Sequence, residues 1–230
     1  ILGEAATRHD HFVTGARVSP KGLKLGTSLI SVSRDKTRAR KPDVVFDGAN
    51  HLVVWTHELS SGGLSWDLHG ARVTTGGKLL GKKDTVINNQ TGKQEWPSVA
   101  CGATNCLVVW HDFRGGVYGI YGARISKAGV VLDSAGFKIV KMSGGGKQWG
   151  QVQPSVAWGN GVYLVVWADY RKVKWDIYGS RVSSKGVVMD TQGLVISDAA
   201  GSQYYPAVAF NGVSFLAVWQ DTRNTNSDIY

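Results

Sequence analysis

A repeated unit with a period near 55 residues constrains this chain more than any other feature. Four of the five prolines, at 42, 97, 154 and 206, advance by 55, 57 and 52 residues. Four tryptophans, at 55, 110, 167 and 219, advance by the same steps. Each unit opens on a short strand-like run (Pro97-Ser98-Val99-Ala100, Pro154-Ser155-Val156-Ala157) and passes a glycine-bearing turn. It continues into an apolar run ending in tryptophan (Leu107-Val108-Val109-Trp110, Leu164-Val165-Val166-Trp167). A third run carries Tyr-Gly-x-Arg (Ile120 to Ile125, Ile177 to Val182), and a fourth follows (Phe137-Lys138-Ile139-Val140, Leu194-Val195-Ile196). A strand covered on one face alternates apolar and polar residues, whereas Leu-Val-Val-Trp is apolar on both faces. It therefore belongs in the middle of a sheet that has further sheets on either side. No helix-length window shows a 3.6-residue apolar period. Periods near 50 with several strands each are the mark of propeller blades.

The reading is an all-β chain forming one four-bladed β-propeller over residues 1–230. Blade A spans 42–93, blade B 97–145 and blade C 154–200. The chain opens in mid-repeat, with Gly15-Ala16-Arg17-Val18 as a third strand and Leu29-Ile30-Ser31-Val32 as a fourth, and it ends on first and second strands. Residues 206–230 and 12–34 are accordingly expected to combine into a fourth, composite blade. Such closure removes the open sheet edges that template aggregation. The start at Ile1 is expected to reflect a piece of a larger polypeptide. No apolar stretch approaches the roughly 20 residues that span a bilayer.

Three units carry Trp-x-Asp-x-Arg: Trp110/Asp112/Arg114, Trp167/Asp169/Arg171 and Trp219/Asp221/Arg223. Together with the following Asp-Ile-Tyr-Gly-x-Arg-Val, this resembles repeats in large secreted or surface proteins of bacteria and archaea. The resemblance covers nearly the whole chain from about residue 12. It implies a propeller-like fold and an extracellular or cell-surface location, and it implies little about ligand. A count of four blades is also similar to the hemopexin architecture, by geometry only, since hemopexin's own repeat motif is not found. That likeness implies an ion in the channel, or haem, as an alternative ligand.

Residues two apart on a strand share a face, so each Asp and Arg of the motif is expected to pair and to pin its blade. Cys101 and Cys106 flank the turn Gly102-Ala103-Thr104-Asn105, at positions held by Trp158/Tyr163 and Phe210/Phe215 in other units. They are expected to face each other and form a disulfide, which points to an oxidising compartment. The aromatic residues Trp96, Trp149, Tyr204 and Tyr205 precede first strands, and Trp66, Tyr118 and Trp175 precede third strands. Loops at one end of a propeller meet ligands, and aromatic faces with nearby glutamines suit sugar rings. These seven are the candidate ligand residues, and a glycan or other surface polymer is the expected partner.

The first unit departs from the pattern. His57 replaces the Asp, Leu59 the Arg and His69 the Tyr. His57 and His69, with Asp43 on the channel-lining strand, are the candidate metal ligands. A Ca²⁺ or Na⁺ ion in the central channel is the expected cofactor, if there is one. Of 26 Lys and Arg, nine lie in residues 1–41, densest from Arg34 to Lys41, a segment suited to a polyanion. No nucleophile elbow, phosphate loop, zinc-protease helix or sialidase box occurs. The expectation is a secreted binding module without enzymatic activity, with a passive adhesive domain as a further alternative and a glycoside hydrolase as the remote one.

Overall fold

The computed structural model describes residues 11–34, 38–59, 65–141, 150–223 and 228–229. Every regular element among them is a β-strand. An N-terminal hairpin pairs β1 (Thr14–Val18) with β2 (Lys24–Ser31). Three four-stranded antiparallel sheets follow, each a simple up-and-down meander. Sheet A holds β3 (Ala39–Phe46), β4 (Asn50–Glu58), β5 (Trp66–Thr74) and β6 (Leu79–Asn88). Sheet B holds β7 (Gln94–Cys101), β8 (Asn105–Asp112), β9 (Gly119–Ser126) and β10 (Phe137–Lys138). Sheet C holds β11 (Gln151–Gly159), β12 (Val162–Asp169), β13 (Asp176–Ser183) and β14 (Leu194–Ser197). A three-stranded sheet, β15 (Gln203–Phe210), β16 (Phe215–Asp221) and β17 (Asp228–Ile229), completes the series.

The sheets stack face to face in chain order, with the first strands β3, β7, β11 and β15 side by side. Double-sided burial of the Leu-Val-Val-Trp run is the reason. Leu107, Val108, Val109 and Trp110 are all fully buried, with Leu107 and Val109 facing sheet C, and Val108 and Trp110 facing sheet A. Each such strand seals two sheet-to-sheet cores at about 1.5–3 kcal/mol per large side chain. Glycine sets the close approach at the hairpin ends. A Cβ at Gly159 would come within 2.3 Å of the Phe210 ring, and one at Gly102 within 2.9 Å of Trp158.

The Trp-x-Asp-x-Arg motif is a pin inside sheet B, sheet C and the last sheet, as its spacing implies. In sheet C, Asp169 accepts from Trp167 Nε1 (2.9 Å), from Arg171 Nε (2.9 Å) and Nη2 (2.6 Å), and from the Arg171 backbone N–H (3.0 Å). The indole donor escapes a spacing argument, because it requires the ring to lie along the strand toward its own i+2 neighbour. Cys101 and Cys106 are a register pair and are joined by a disulfide.

The expected composite blade is not seen among the described residues. β1–β2 and β15–β17 are separate sheets, and no strand pairing joins them among the described residues. The hairpin packs through Val13 and Val32 onto Val53, Trp55 and Val73 of sheet A, while the last sheet packs onto sheet C.

Candidate functional site

All four first strands carry the same backbone irregularity. The register slips between Arg40 and Asp43, Glu95 and Ser98, Val152 and Ser155, and Tyr204 and Ala207. Inside each bulge the residue before proline is left-handed: Lys41 (φ 52°), Trp96 (φ 55°), Gln153 (φ 56°) and Tyr205 (φ 51°). Side chains avoid this region, and a following proline favours extended backbone instead. Strain of this kind costs on the order of 1–3 kcal/mol per site and clusters where function requires it. A bulge re-aims the side chain it carries. Here it throws one side chain per sheet out of the ladder, at equivalent points of the four first strands.

Those four side chains are chemically different on an otherwise uniform scaffold, and they converge. The Lys41 ammonium lies 3.7 Å from the Trp96 ring centre, and Trp96 and Tyr205 are 6.3 Å apart. The Tyr205 backbone N–H donates to Gln153 Oε1 (3.1 Å), and the Gln153 backbone N–H donates to His111 Nδ1 (3.2 Å). Trp96, Gln153 and Tyr205 line a cavity of about 520 Å³, completed by Glu95, His111, Tyr118, Tyr170, Trp175 and Tyr204. Tyr204 continues the aromatic wall, 5.9 Å from Trp175, and Trp175 lies 5.2 Å from Tyr170.

One wall is polar. Tyr118 Oη donates to Glu95 Oε2 (2.9 Å), and burial together with the adjacent Glu95 charge raises the phenol well above its ordinary range. His111 Nε2 stands 4.0 Å from the same oxygen. This is not an ion pair at neutral pH, because burial lowers the His111 pKa to about 3. Among the described residues Glu95 is the only carboxylate lining the cavity.

Of the seven aromatic candidates, Trp96, Tyr118, Trp175, Tyr204 and Tyr205 meet in this cavity. Trp66 stands apart beside Arg40 and Lys93, 5.6 and 5.7 Å from its ring. Trp149 lies outside the described residues. Sequence reading missed His111 and Tyr170. Both lie beside the repeated Trp-x-Asp-x-Arg positions, which read as scaffold.

The proposed metal set is not brought together. Asp43 accepts from the backbone N–H of Val44 and of Val99 (both 2.8 Å), so its carboxylate ties sheet A to the first strand of sheet B. His57 and His69 stack, ring centres 4.3 Å apart. Among the described residues no three His, Cys, Asp or Glu side chains converge to hold a metal. The basic segment is largely engaged: Arg34 binds Asp84 and two carbonyls of β6, and Arg38 pairs with Glu58 at 2.9 Å. Lys36 lies outside the described residues.

By sequence, the chain matches no protein-family model and no curated protein. By structure it is similar to a thermostable family-43 glycoside hydrolase, with a TM-score of 0.56 at 10% identity, over 83% of this chain and 68% of that one. It is also similar to the α-L-arabinofuranosidase from Lactobacillus brevis, with a TM-score of 0.53 at 12% identity over 86% and 71%. Trypanosoma rangeli sialidase gives a TM-score of 0.59 at 11% identity, over 100% of this chain and 41% of that one. At such identities the likeness establishes the fold. It also corrects one expectation. The absence of a familiar catalytic motif suggests no enzyme, yet the solved structures that share this fold include several glycoside hydrolases.

Proposed function

We propose that this chain acts on carbohydrate outside the cell, with the sugar held in the aromatic cavity. The observation that carries this reading is the set of four left-handed pre-proline positions. A strained backbone device is repeated unchanged, while its side chains vary as Lys41, Trp96, Gln153 and Tyr205. A scaffold role would favour four similar residues. Flat aromatic faces beside an amide and an ammonium suit the alternating apolar faces and hydroxyl edges of a sugar. The glycoside hydrolases among its structural neighbours support a carbohydrate substrate, and the Cys101–Cys106 disulfide is compatible with an extracellular setting.

Glu95 and Tyr118 are the proposed reacting pair. Glu95 is placed to take the phenolic proton as Tyr118 Oη bonds to an anomeric carbon, the glycosidic C–O bond breaks and the leaving oxygen takes a proton from water; the hydroxide so formed then attacks the anomeric carbon, the bond to Tyr118 Oη breaks and Oη takes its proton back from Glu95. His111 stays neutral and holds Gln153 in place. The test is calorimetric binding and reducing-end release across neutral and acidic oligosaccharides. Trp175→Ala is expected to lose binding. Glu95→Gln and Tyr118→Phe are expected to keep binding and lower turnover by about 10²-fold or more. Turnover unchanged in both variants refutes the reacting pair, and binding unchanged in Trp175→Ala refutes the cavity.

A further inference from the structure

The third strand of each sheet begins against the first strand of the next. The Tyr118 carbonyl accepts from the Gln151 N–H (2.9 Å), the Trp175 carbonyl accepts from the Gln203 N–H (2.8 Å), and Trp66 forms a parallel bridge with Lys93. The glutamine that opens each first strand, Gln94, Gln151 or Gln203, is at most 2% exposed. No donor among the described residues reaches its side-chain oxygen. In sheet B that oxygen lies 3.7 Å from the position a Cβ would take at Gly119. The repeat puts Asp67 in the place of Gly119 in sheet A, and Asp176 there in sheet C. A buried carboxylate thus stands beside a buried amide oxygen at two of the three junctions. Two such acceptors are satisfied by a positive charge or by a shared proton.

In sheet C side chains supply the charge. Lys174 Nζ lies 2.9 Å from Asp176 Oδ1 and donates to the carbonyls of Asp198 (2.8 Å) and Ala199. Arg171 adds its charge from the neighbouring strand. In sheet B, which has no carboxylate there, the Lys138 chain reaches the same spot, its Cε 3.6 Å from the Cβ position of Gly119. Sheet A keeps the carboxylate and replaces every one of these cations. Ser65 stands for Lys174, Leu59 for Arg171 and Val86 for Lys138. Residues 60–64, Ser-Ser-Gly-Gly-Leu, bring no basic group. Asp67 is 5% exposed, and burial alone acts on its carboxylate. The oxygens that hold the ammonium in sheet C have counterparts in sheet A. The link from Asn88 to Gln94 matches that from Ser197 to Gln203 residue for residue, with left-handed glycines at Gly92 and Gly201. Gln94 Nε2 donates to the Thr91 carbonyl (3.4 Å) as Gln203 Nε2 does to that of Ala200 (3.5 Å). The Asn89 and Gln90 carbonyls therefore take the places of those of Asp198 and Ala199.

We propose that the junction of sheets A and B binds a hard cation, held by the Asp67 carboxylate, the Gln94 side-chain oxygen and the Asn89 and Gln90 carbonyls. Serine in the place of the lysine leaves room for it. Every ligand is an oxygen, the set that Na⁺ and Ca²⁺ take and that soft metals do not. One carboxylate among neutral oxygens balances a monovalent ion, the same charge as the ammonium of Lys174. The site is separate from Asp43 on the channel-lining strand. The ion ties the third strand of sheet A to the link that runs directly into Glu95 and Trp96, and so it supports the cavity wall from behind.

The native chain is stripped with chelator and dialysed into choline chloride at neutral pH. Thermal melts then follow additions of NaCl or CaCl₂ at constant ionic strength. Saturating ion is expected to raise Tm by about 5 °C or more, and the ion that acts at the lower concentration is the one the site prefers. Asp67→Asn keeps the shape of the side chain. It is expected to melt above the native chain in choline, where the native carboxylate has no counter-charge, and to gain nothing from either ion. Ser65→Lys restores the lysine of sheet C and is expected to match the ion-loaded native chain in choline alone. A native chain that melts alike in choline, NaCl and CaCl₂ overturns the proposal, and means that the two oxygens share a proton. So does an equal response to the ions in the native chain and in Asp67→Asn, which places the ion elsewhere.

Discussion

Replacing Asp169 by alanine tests the account of what pins the three sheets that carry the Trp-x-Asp-x-Arg motif. Asp169 is fully buried and accepts four hydrogen bonds, from Trp167 Nε1 and from three nitrogens of Arg171, at 2.6–3.0 Å. Truncation orphans the indole N–H at a fully buried residue, which costs about 1–3 kcal/mol. It also strips the guanidinium of its counter-charge. Breaking a buried ion pair costs about 3–5 kcal/mol, but the Arg171 side chain is 19% exposed, still donates to the Gln192 carbonyl (2.6 Å) and lies over the Tyr178 ring (3.9 Å). Solvent and these partners reduce the charge penalty, so the two effects together are worth about 3–4 kcal/mol rather than their full sum. For a chain of this size that lowers Tm by about 10 °C. The assay is urea unfolding followed by tryptophan fluorescence, alongside a thermal melt. Two controls sharpen it. Asp169→Ala/Arg171→Ala is expected to recover part of the loss, because no unpaired charge remains. Asp221→Ala is expected to cost less, because Trp219 is half-buried and its indole bond is longer, at 3.3 Å. A loss below about 1 kcal/mol for Asp169→Ala, or equal losses at Asp169 and Asp221, would show that the motif does not pin the sheets.

Other consequences follow from the same geometry. Trp96→Gly is expected to leave stability within about 1 kcal/mol of native, because glycine accepts φ 55° freely, while glycan binding is lost; a thermal melt beside a binding isotherm separates the two. Gly159→Ala is expected to destabilise by about 1–3 kcal/mol, since the added carbon meets the Phe210 ring and the last sheet must shift; denaturant midpoints measure it. His111, with its pKa lowered from 6.5 to about 3, binds its proton in the unfolded chain first. Its contribution is complete above pH 6.5 and is lost on acidification, by about 3 kcal/mol near pH 4, and a His111→Phe variant should flatten that limb of the stability–pH curve. Asp67 has the opposite sign. Burial raises its pKa from 3.8 to about 6, so its contribution is complete below 3.8 and is lost as pH rises through 6. Asp67→Asn should therefore stabilise the chain at neutral pH by about 2 kcal/mol, read from melts at acid and neutral pH.

Much of the framework is legible in residue order. Strand number and order, the doubly buried Leu-Val-Val-Trp runs, the Asp–Arg pairs and the facing cysteines all depend on neighbours a few residues apart or across one tight turn. Side-chain alternation and turn chemistry carry that information locally. Five of seven aromatic candidates reach one cavity because the repeat places them at equivalent points on successive sheets. Other features belong to the tertiary structure. Pairing between the two ends depends on small rotations between sheets summed along the stack, and no single residue encodes that sum; among the described residues β1–β2 and β15–β17 do not pair. The left-handed backbone before each proline contradicts local preference and exists only because the paired strand and the next sheet hold it there. His111 and Glu95 become parts of a site only where the bulge turns Trp96 and Gln153 toward them. Chain order determined which residues repeat, while packing between sheets decided which of them meet around the cavity, because that geometry sums contacts between residues more than fifty positions apart.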